Sequence, residues 1–263
     1  MSVRDRAVEL AKRYLTPETR NWVVRQQKRF RLQWPPAGTV RFGSFRRLTP
    51  ISPIFGLDRG LPIERYYIEK FLAANGADVK GRTLELGDPY YTRKFGGDRV
   101  TTADVLSVVE GDGVTIVADL TCADHIPSDS FDCIIFTQAL QMVYDMNACM
   151  HHLHRILKPG GVLLLTTHGI SKIGRRLGRD PWGEYWHLTA QSTERLMGEH
   201  FKGGQVEVGT FGNVFTAMCE LHGLASEELK REELDYRDPD FEVIVTARCV
   251  KGGASGNAAQ EEA

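Results

Sequence analysis

Chemistry in this chain is first legible at Arg82-Thr-Leu-Glu-Leu-Gly-Asp88, where a short apolar run ends in Glu85-Leu-Gly87. Seventeen residues after Gly87, the run Arg99-Val-Thr-Thr-Ala ends in Asp104. A parallel α/β sheet holds an adenosyl group in this way. Glycine lets the backbone approach the ligand after the first strand, and an acid after the second accepts from ribose hydroxyls. On these residues alone the ligand is open between S-adenosylmethionine, a dinucleotide and none. A nicotinamide cofactor asks for Gly-x-Gly-x-x-Gly after the first strand, and Gly87-Asp-Pro89 does not supply it.

The elements that must position these residues follow from the apolar pattern. Strand-like runs occur at 82–86, 99–103, 114–118, 132–136, 161–167, about 205–210 and 241–249. Most are separated by helix-like segments, which predicts a parallel sheet covered on both faces. One helix starts at Leu61-Pro62, carries Ile63, Tyr67 and Phe71 at four-residue spacing, and stops at Asn75-Gly76. Another covers roughly 145–157 with a stripe of Met146, Met150, Leu153 and Leu157, ending in Lys158-Pro-Gly-Gly161. Thr189 is placed to cap the next helix, and 212–236 reads as two helices inserted before the last strand.

Composition bounds the rest. Of 263 residues, 42% are hydrophobic and 25% charged, which places the chain among soluble globular proteins. No apolar run reaches the length of a membrane span, and the N-terminus does not read as a secretory signal. Cys122, Cys133, Cys149, Cys219 and Cys249 form no Cys-x-x-Cys pair, so free, largely buried thiols and a cytoplasmic setting are expected. Residues 1–47 hold 12 Lys/Arg against 3 Asp/Glu, interleaved with Tyr14, Trp22, Phe30, Trp34, Phe42 and Phe45. This basic, aromatic segment reads as an amphipathic helical cap or arm over 1–60, broken at Thr16-Pro17. The main domain is expected over 61–250, and the Gly/Ala/Glu-rich 251–263 is expected to be disordered.

Four segments in order make the chain resemble the class I S-adenosylmethionine-dependent methyltransferases of the small-molecule type. They are Leu84-Glu-Leu-Gly87; Thr102-Ala-Asp104; Ala118-Asp119-Leu120 with Ser130-Phe-Asp-Cys-Ile-Ile-Phe136; and Arg155-Ile-Leu-Lys-Pro-Gly-Gly161. The resemblance implies an α/β, Rossmann-like sheet of seven strands in order 3-2-1-4-5-7-6, mostly parallel, with the last strand antiparallel. It implies S-adenosylmethionine as cofactor. In one place the chain departs from the family: Pro89 and Tyr91 stand where the second and third glycines of Glu-x-Gly-x-Gly-x-Gly usually stand.

By position in that family, Glu85, Gly87 and Tyr91 would line the methionine end, with Thr137 after strand 4. Asp104 would hold the ribose, Asp119 the adenine amine, and Val105 with Leu120 would sandwich the base. The acceptor would lie beyond strands 4 and 5, beside Gln141, Tyr144 and the loop Asp180-Pro-Trp-Gly-Glu-Tyr-Trp-His187, from which Trp182, Tyr185 and Trp186 offer stacking surfaces. Histidine titrates near neutrality, so His168 at the strand's end is the expected general base, with His187 second. His151, His152 and His154 on the 145–157 helix lack a completing carboxylate or cysteine, and no metal site is read. The expected activity is O-methylation of a small-molecule hydroxyl, on a sugar or a specialised metabolite. A binding protein on the same fold is the alternative. No Asn/Asp-Pro-Pro-Tyr motif follows strand 4, so nucleic acid is not the expected acceptor; a homodimer is left open.

Overall fold

The computed structural model describes residues 3–29, 35–36, 38–174 and 183–253. The chain divides into two compact units, Met1–Leu48 and Thr49–Ala263. In the first, helix α1 (Val3–Tyr14) and helix α2 (Pro17–Arg29) meet at the expected break. There Thr16 accepts from the Thr19 amide at 3.3 Å, and Pro17 opens α2, where its missing N–H has no helical partner to lose. Phe30 and Trp34 lie outside the described residues, as do residues 254–263 of the expected disordered tail. Among the described residues no helix is long and apolar enough to cross a membrane.

The second unit is built on one seven-stranded sheet. Its strands are β1 (Gly81–Leu86), β2 (Val100–Ser107), β3 (Ile116–Val117), β4 (Phe131–Thr137), β5 (Leu157–His168), β6 (Gln205–Phe211) and β7 (Ile244–Val250). They lie in the order β3-β2-β1-β4-β5-β7-β6, as expected, and β7 is antiparallel to both of its neighbours. Alternation along β4 and β5 divides the core. Ile134, Phe136, Leu163 and Leu165 face helix α4 (Met146–Ile156) and helix α5 (Ala190–His200), while Cys133, Ile135, Val162 and Leu164 face helix α3 (Ile63–Ala74). Asp145 caps α4 by accepting from the Ala148 amide at 2.9 Å, and Thr189 caps α5 in a reciprocal pair with Ser192. Cys133, Cys149, Cys219 and Cys249 are buried free thiols, while Cys122 is exposed.

Two expected boundaries are corrected. The second strand runs on through Val105 and Leu106, both buried, and ends at Ser107 instead of before Asp104. The Lys158-Pro-Gly-Gly161 turn is instead a bulge inside β5. The register jumps there from Phe131↔Leu157 to Cys133↔Val162, and Gly160 takes a φ of +78° that favours glycine.

Between β6 and β7 run helix α6 (Val214–His222) and the short helix α7 (Arg231–Asp235). Asn213 joins them: its Oδ1 accepts from the Phe215 and Thr216 amides, and its Nδ2 donates to the Glu233 and Tyr236 carbonyls. Helix α6 packs on α3 and brings Glu220 against the first turn of α3, where Glu220 Oε2 accepts from the Glu64 amide at 3.3 Å. Burial, reinforced by the charge of Glu64, pushes Glu220 from its ordinary 4.5 up to about 8; burial raises Glu64 as well, against the pull of Arg65 and Lys172.

The folded chain therefore keeps a proton on Glu220 where the unfolded chain has lost it. Folding takes up that proton, so stability is full near pH 4.5 and falls as pH rises toward 8. In urea unfolding at several pH values, Glu220→Gln is expected to flatten this slope by up to about 1 kcal/mol per pH unit. A slope unchanged by the substitution would show that Glu220 ionises normally in the fold.

Candidate active site

The carboxyl ends of β1 to β5 share one edge, where βα loops leave the sheet and ligands are held in this architecture. At the β1 end, Gly87 adopts a φ of +77° while its amide donates to the Leu106 carbonyl at 2.9 Å. No atom lies within 4 Å of where a Cβ would stand, so the backbone is bare toward the edge.

Glu85, 3% exposed, faces the loop that follows it: its two oxygens accept from the Tyr91 amide at 3.1 Å and the Thr92 amide at 2.7 Å. Burial raises its pKa, and those two amides pull it back toward ionisation. The carboxylate thus holds the Asp88–Tyr91 loop in place from the end of β1. Tyr91, expected at the methionine end, is largely buried. Its ring stacks on Phe95 at 6.0 Å and packs into the α3 side of the core. Tyr90, half exposed, is the ring left at the edge.

Asp104 does not end its strand. It lies opposite Leu84, three residues before Ser107, and both of its oxygens are engaged. Oδ2 accepts from Arg82 Nε at 2.6 Å and Oδ1 from Thr115 Oγ1 at 3.0 Å. Val105 and Leu120 are buried, Val105 opposite Glu85 and Leu120 in the core cluster under α4, so neither forms an open wall for a base. The acid that does follow β2 is Glu110, exposed beyond Val108 and Val109. The signal was present in the sequence, because the apolar run continues past Asp104 through Val105-Leu106.

Asp119 stands exposed after β3, with Oδ1 accepting from both the amide and the hydroxyl of Thr121 at 2.8 Å. Thr137 ends β4, and Gln138 follows at a φ of +51°. Gln138 Oε1 accepts from Gln141 Nε2 at 3.2 Å, while its own Nε2 is buried without a partner. A buried orphan donor is costly to leave unmade and marks a place where a ligand acceptor belongs. The bare Gly87 backbone, this donor and the exposed acids Glu110 and Asp119 together fit an adenosyl ligand, although Asp104 is withdrawn from the set.

On the acceptor side, Gln141 is the buried tie. Its carbonyl accepts from the Tyr185 and Trp186 amides at 2.8 and 3.2 Å, and its Oε1 accepts from Thr167 Oγ1 at 3.2 Å. Gln141 is therefore a positioning residue. The loop it anchors builds an aromatic wall in which Tyr144 meets Tyr185 edge-on at 5.3 Å and stacks on Trp186 at 5.8 Å. Trp186 Nε1 donates to the Val143 carbonyl at 3.1 Å. Trp182 lies outside the described residues.

At the end of β5, His168 and His187 come together, joined by a residue that sequence reasoning missed. Glu184 Oε1 lies 2.6 Å from His168 Nε2 and 3.0 Å from His187 Nε2, the ring centroids are 4.7 Å apart, and Glu184 Oε2 accepts from the Gly174 amide at 2.6 Å. His187 Nδ1 donates to the Gly169 carbonyl at 2.9 Å. The His168 and Glu184 side chains are 5% and 2% exposed, and that of His187 is 32% exposed. Burial lowers the His168 pKa, opposed by Glu184. His168 is buried with Nε2 turned to Glu184, and both nitrogens of His187 have partners, so the three side chains form one hydrogen-bonded cluster. Nothing in the sequence distinguishes Glu184 from any other loop acid; only the loop's return to β5 does.

Two measurements check these assignments. Gly87→Ala puts a methyl group on the bare backbone and strains a positive φ by about 1–2 kcal/mol. Calorimetric titration with S-adenosylhomocysteine is expected to show at least about tenfold weaker binding, and an unchanged affinity would remove Gly87 from the site. Asp104→Ala, which removes the bonds to the half-exposed Arg82 and the exposed Thr115, is expected to cost about 0.5–1 kcal/mol of stability in urea unfolding. Ligand affinity should stay within about twofold; a tenfold loss would return Asp104 to the ligand.

A family model described as "Methyltransferase domain" matches residues 62–215. No curated protein matches the chain in the sequence search. Among solved structures, the chain is similar to an S-adenosylmethionine-dependent methyltransferase from Mesorhizobium loti, at 20% identity and a TM-score of 0.48, over 74% of this chain and 100% of that one. It is similar at 10% identity and a TM-score of 0.48 to such a methyltransferase from Archaeoglobus fulgidus, over 71% and 94%. A sarcosine dimethylglycine methyltransferase from Galdieria sulphuraria gives 15% identity and a TM-score of 0.48, over 71% and 84%. With more than half of its length inside the family model, the chain belongs to the methyltransferase-domain family, the class I enzymes whose cofactor is S-adenosylmethionine.

Proposed function

We propose that the chain methylates a hydroxyl oxygen of a small-molecule acceptor, a sugar or a specialised metabolite, bound beyond the carboxyl ends of β4 and β5. The observation that carries this reading is the His168–Glu184–His187 cluster at the end of β5. S-adenosylmethionine, when bound, supplies a sulfonium methyl group for in-line displacement. Gly87, Gln138, Asp119 and Glu110 are the residues that would hold it. An amine acceptor already carries its nucleophilic lone pair, whereas a hydroxyl must lose a proton as its bond forms, and a buried cluster of two imidazoles and a carboxylate assists that loss. Tyr144, Tyr185 and Trp186 offer flat apolar faces suited to a ring or a sugar face, and the loop anchored by Gln141 sets their distance from the cluster. Four buried free thiols support a reducing compartment, taken here as the cytoplasm.

The test is transfer of a labelled methyl group by the full-length chain to a panel of phenols, glycosides, aliphatic alcohols and amines, with the product's methyl position read by mass spectrometry. Methylation at oxygen is expected. In Glu184→Gln, kcat should fall by about 10²–10⁴, with affinity for S-adenosylhomocysteine unchanged. Methylation confined to amines, or a Glu184→Gln variant with full kcat, would overturn the proposal.

A further inference from the structure

Residues 1–47 carry 12 Lys/Arg against 3 Asp/Glu in a chain whose net charge is −1, so the remainder of the chain is acidic. The proposed reaction makes no use of this basic segment. Among its described residues from Glu9 to Leu48 none is buried, so α1 and α2 have no core among these residues. Helices of 12 and 13 residues are marginal in water unless one face is covered. The uncovered groups are apolar and cationic together. On α1, Leu10 and Tyr14 share a face at four-residue spacing and are 55% and 71% exposed, and Leu15 follows at 37%. On α2, Trp22 is 60% exposed. Beyond α2, Val40, Phe42 and Leu48 are exposed as well.

We propose that the Met1–Leu48 unit docks on an anionic lipid bilayer, with its apolar side chains in the interface and its cations at the headgroups. Cations stand beside the apolar groups throughout the unit. Arg13 Cζ lies 5.7 Å from the centre of the Tyr14 ring and Arg46 Cζ 5.7 Å from that of Phe42, while Lys12, Arg25, Arg41 and Arg47 are exposed along the same segments. Segments that lie in a bilayer interface combine these features: little overall hydrophobicity, many Lys and Arg, and exposed Trp, Tyr and Leu. Long cationic side chains reach the phosphates while their stems lie along the apolar layer. The same surface repels the acidic remainder of the chain, so charge alone turns this unit toward it.

The aliphatic groups decide between anionic partners. A nucleic acid would satisfy the cations, and its bases could stack on Tyr14, Trp22 and Phe42, but it offers no apolar layer to Leu10, Leu15, Val40 and the fully exposed Leu48. An acidic protein would need separate apolar pockets matched to each of these groups. A fluid bilayer supplies phosphate and hydrocarbon together wherever the groups fall. At 12 and 13 residues neither helix reaches across a bilayer, which takes about 20, so both lie along its surface.

The test is co-sedimentation of the full-length chain with vesicles of phosphatidylcholine alone or with about 30% phosphatidylglycerol, at about 0.1 M salt. Binding to the anionic vesicles is expected to be at least about tenfold tighter, and to weaken at about 0.5 M salt. Two double variants separate the contributions: Arg13→Glu with Arg46→Glu, and Leu10→Ser with Trp22→Ser. Each is expected to bind at least about tenfold more weakly. Thermal unfolding should not change in either, because none of the four side chains is buried. No sedimentation with anionic vesicles, equal binding to both kinds, or full binding by the Leu10 and Trp22 double variant overturns the proposal. Tighter binding to a single-stranded oligonucleotide that anionic vesicles do not displace overturns it too, and gives the surface to nucleic acid.

Discussion

The structure depends on the pairing of β4 with β5. Both strands are apolar on both faces, so they can exist only at the centre of a sheet covered by helices on each side. Their register, with Thr137 opposite Thr166, carries both strands to the same edge. From there the Gln138 amide donates to the Thr166 carbonyl at 2.8 Å, and His168 ends β5 two residues further on. A slip of one residue would turn Leu163, Leu165 and Thr167 to the other face and carry His168 away from Glu184. The site therefore inherits its geometry from the most deeply buried part of the core, where packing tolerates least displacement.

On the cofactor side, the acids that announce the fold serve its internal order. Glu85 is spent on two loop amides, and Asp104 on Arg82 and Thr115. Each carboxylate spends on protein donors the acceptor oxygens that it could offer to a ligand. The loop with Pro89 and Tyr91 is compatible with this arrangement because it is held from beneath. Glu85 grips its end, Tyr91 anchors it in the α3 side of the core, and Gly87 is left as the bare backbone.

Above the other half of the edge the interior is unusually polar. Glu220 meets the first turn of α3, and the His168–Glu184–His187 cluster closes on β5. Charged groups buried in this way cost stability unless they are paired or keep a proton, and such environments are typical of working sites. The aromatic wall beside them is held by backbone groups, with Gln141 and Val143 accepting from the loop that carries Tyr185 and Trp186. These flat apolar faces are what the proposed ring-bearing acceptor would stack on.

The sequence by itself determined the architecture. Alternating strand and helix patterns, the α3 stripe of Ile63, Tyr67 and Phe71, the caps at Asp145 and Thr189, and the ordered motifs are local signals, each confined to a few neighbouring residues. The end of β5 at His168 was legible because strand ends are local too. What only the tertiary structure decided is which polar groups meet. Asp104 lies inside its strand because Arg82 and Thr115, 22 and 11 residues away, take its two oxygens and the apolar run continues past it. Glu184 joins His168 across 16 residues because the segment 183–187 lies against the end of β5, where the Gln141 carbonyl accepts from the Tyr185 and Trp186 amides. Pairings of this kind depend on chain closure and register, which no spacing rule encodes. For that reason the fold could be read from the residues, while the partners of its buried carboxylates could not.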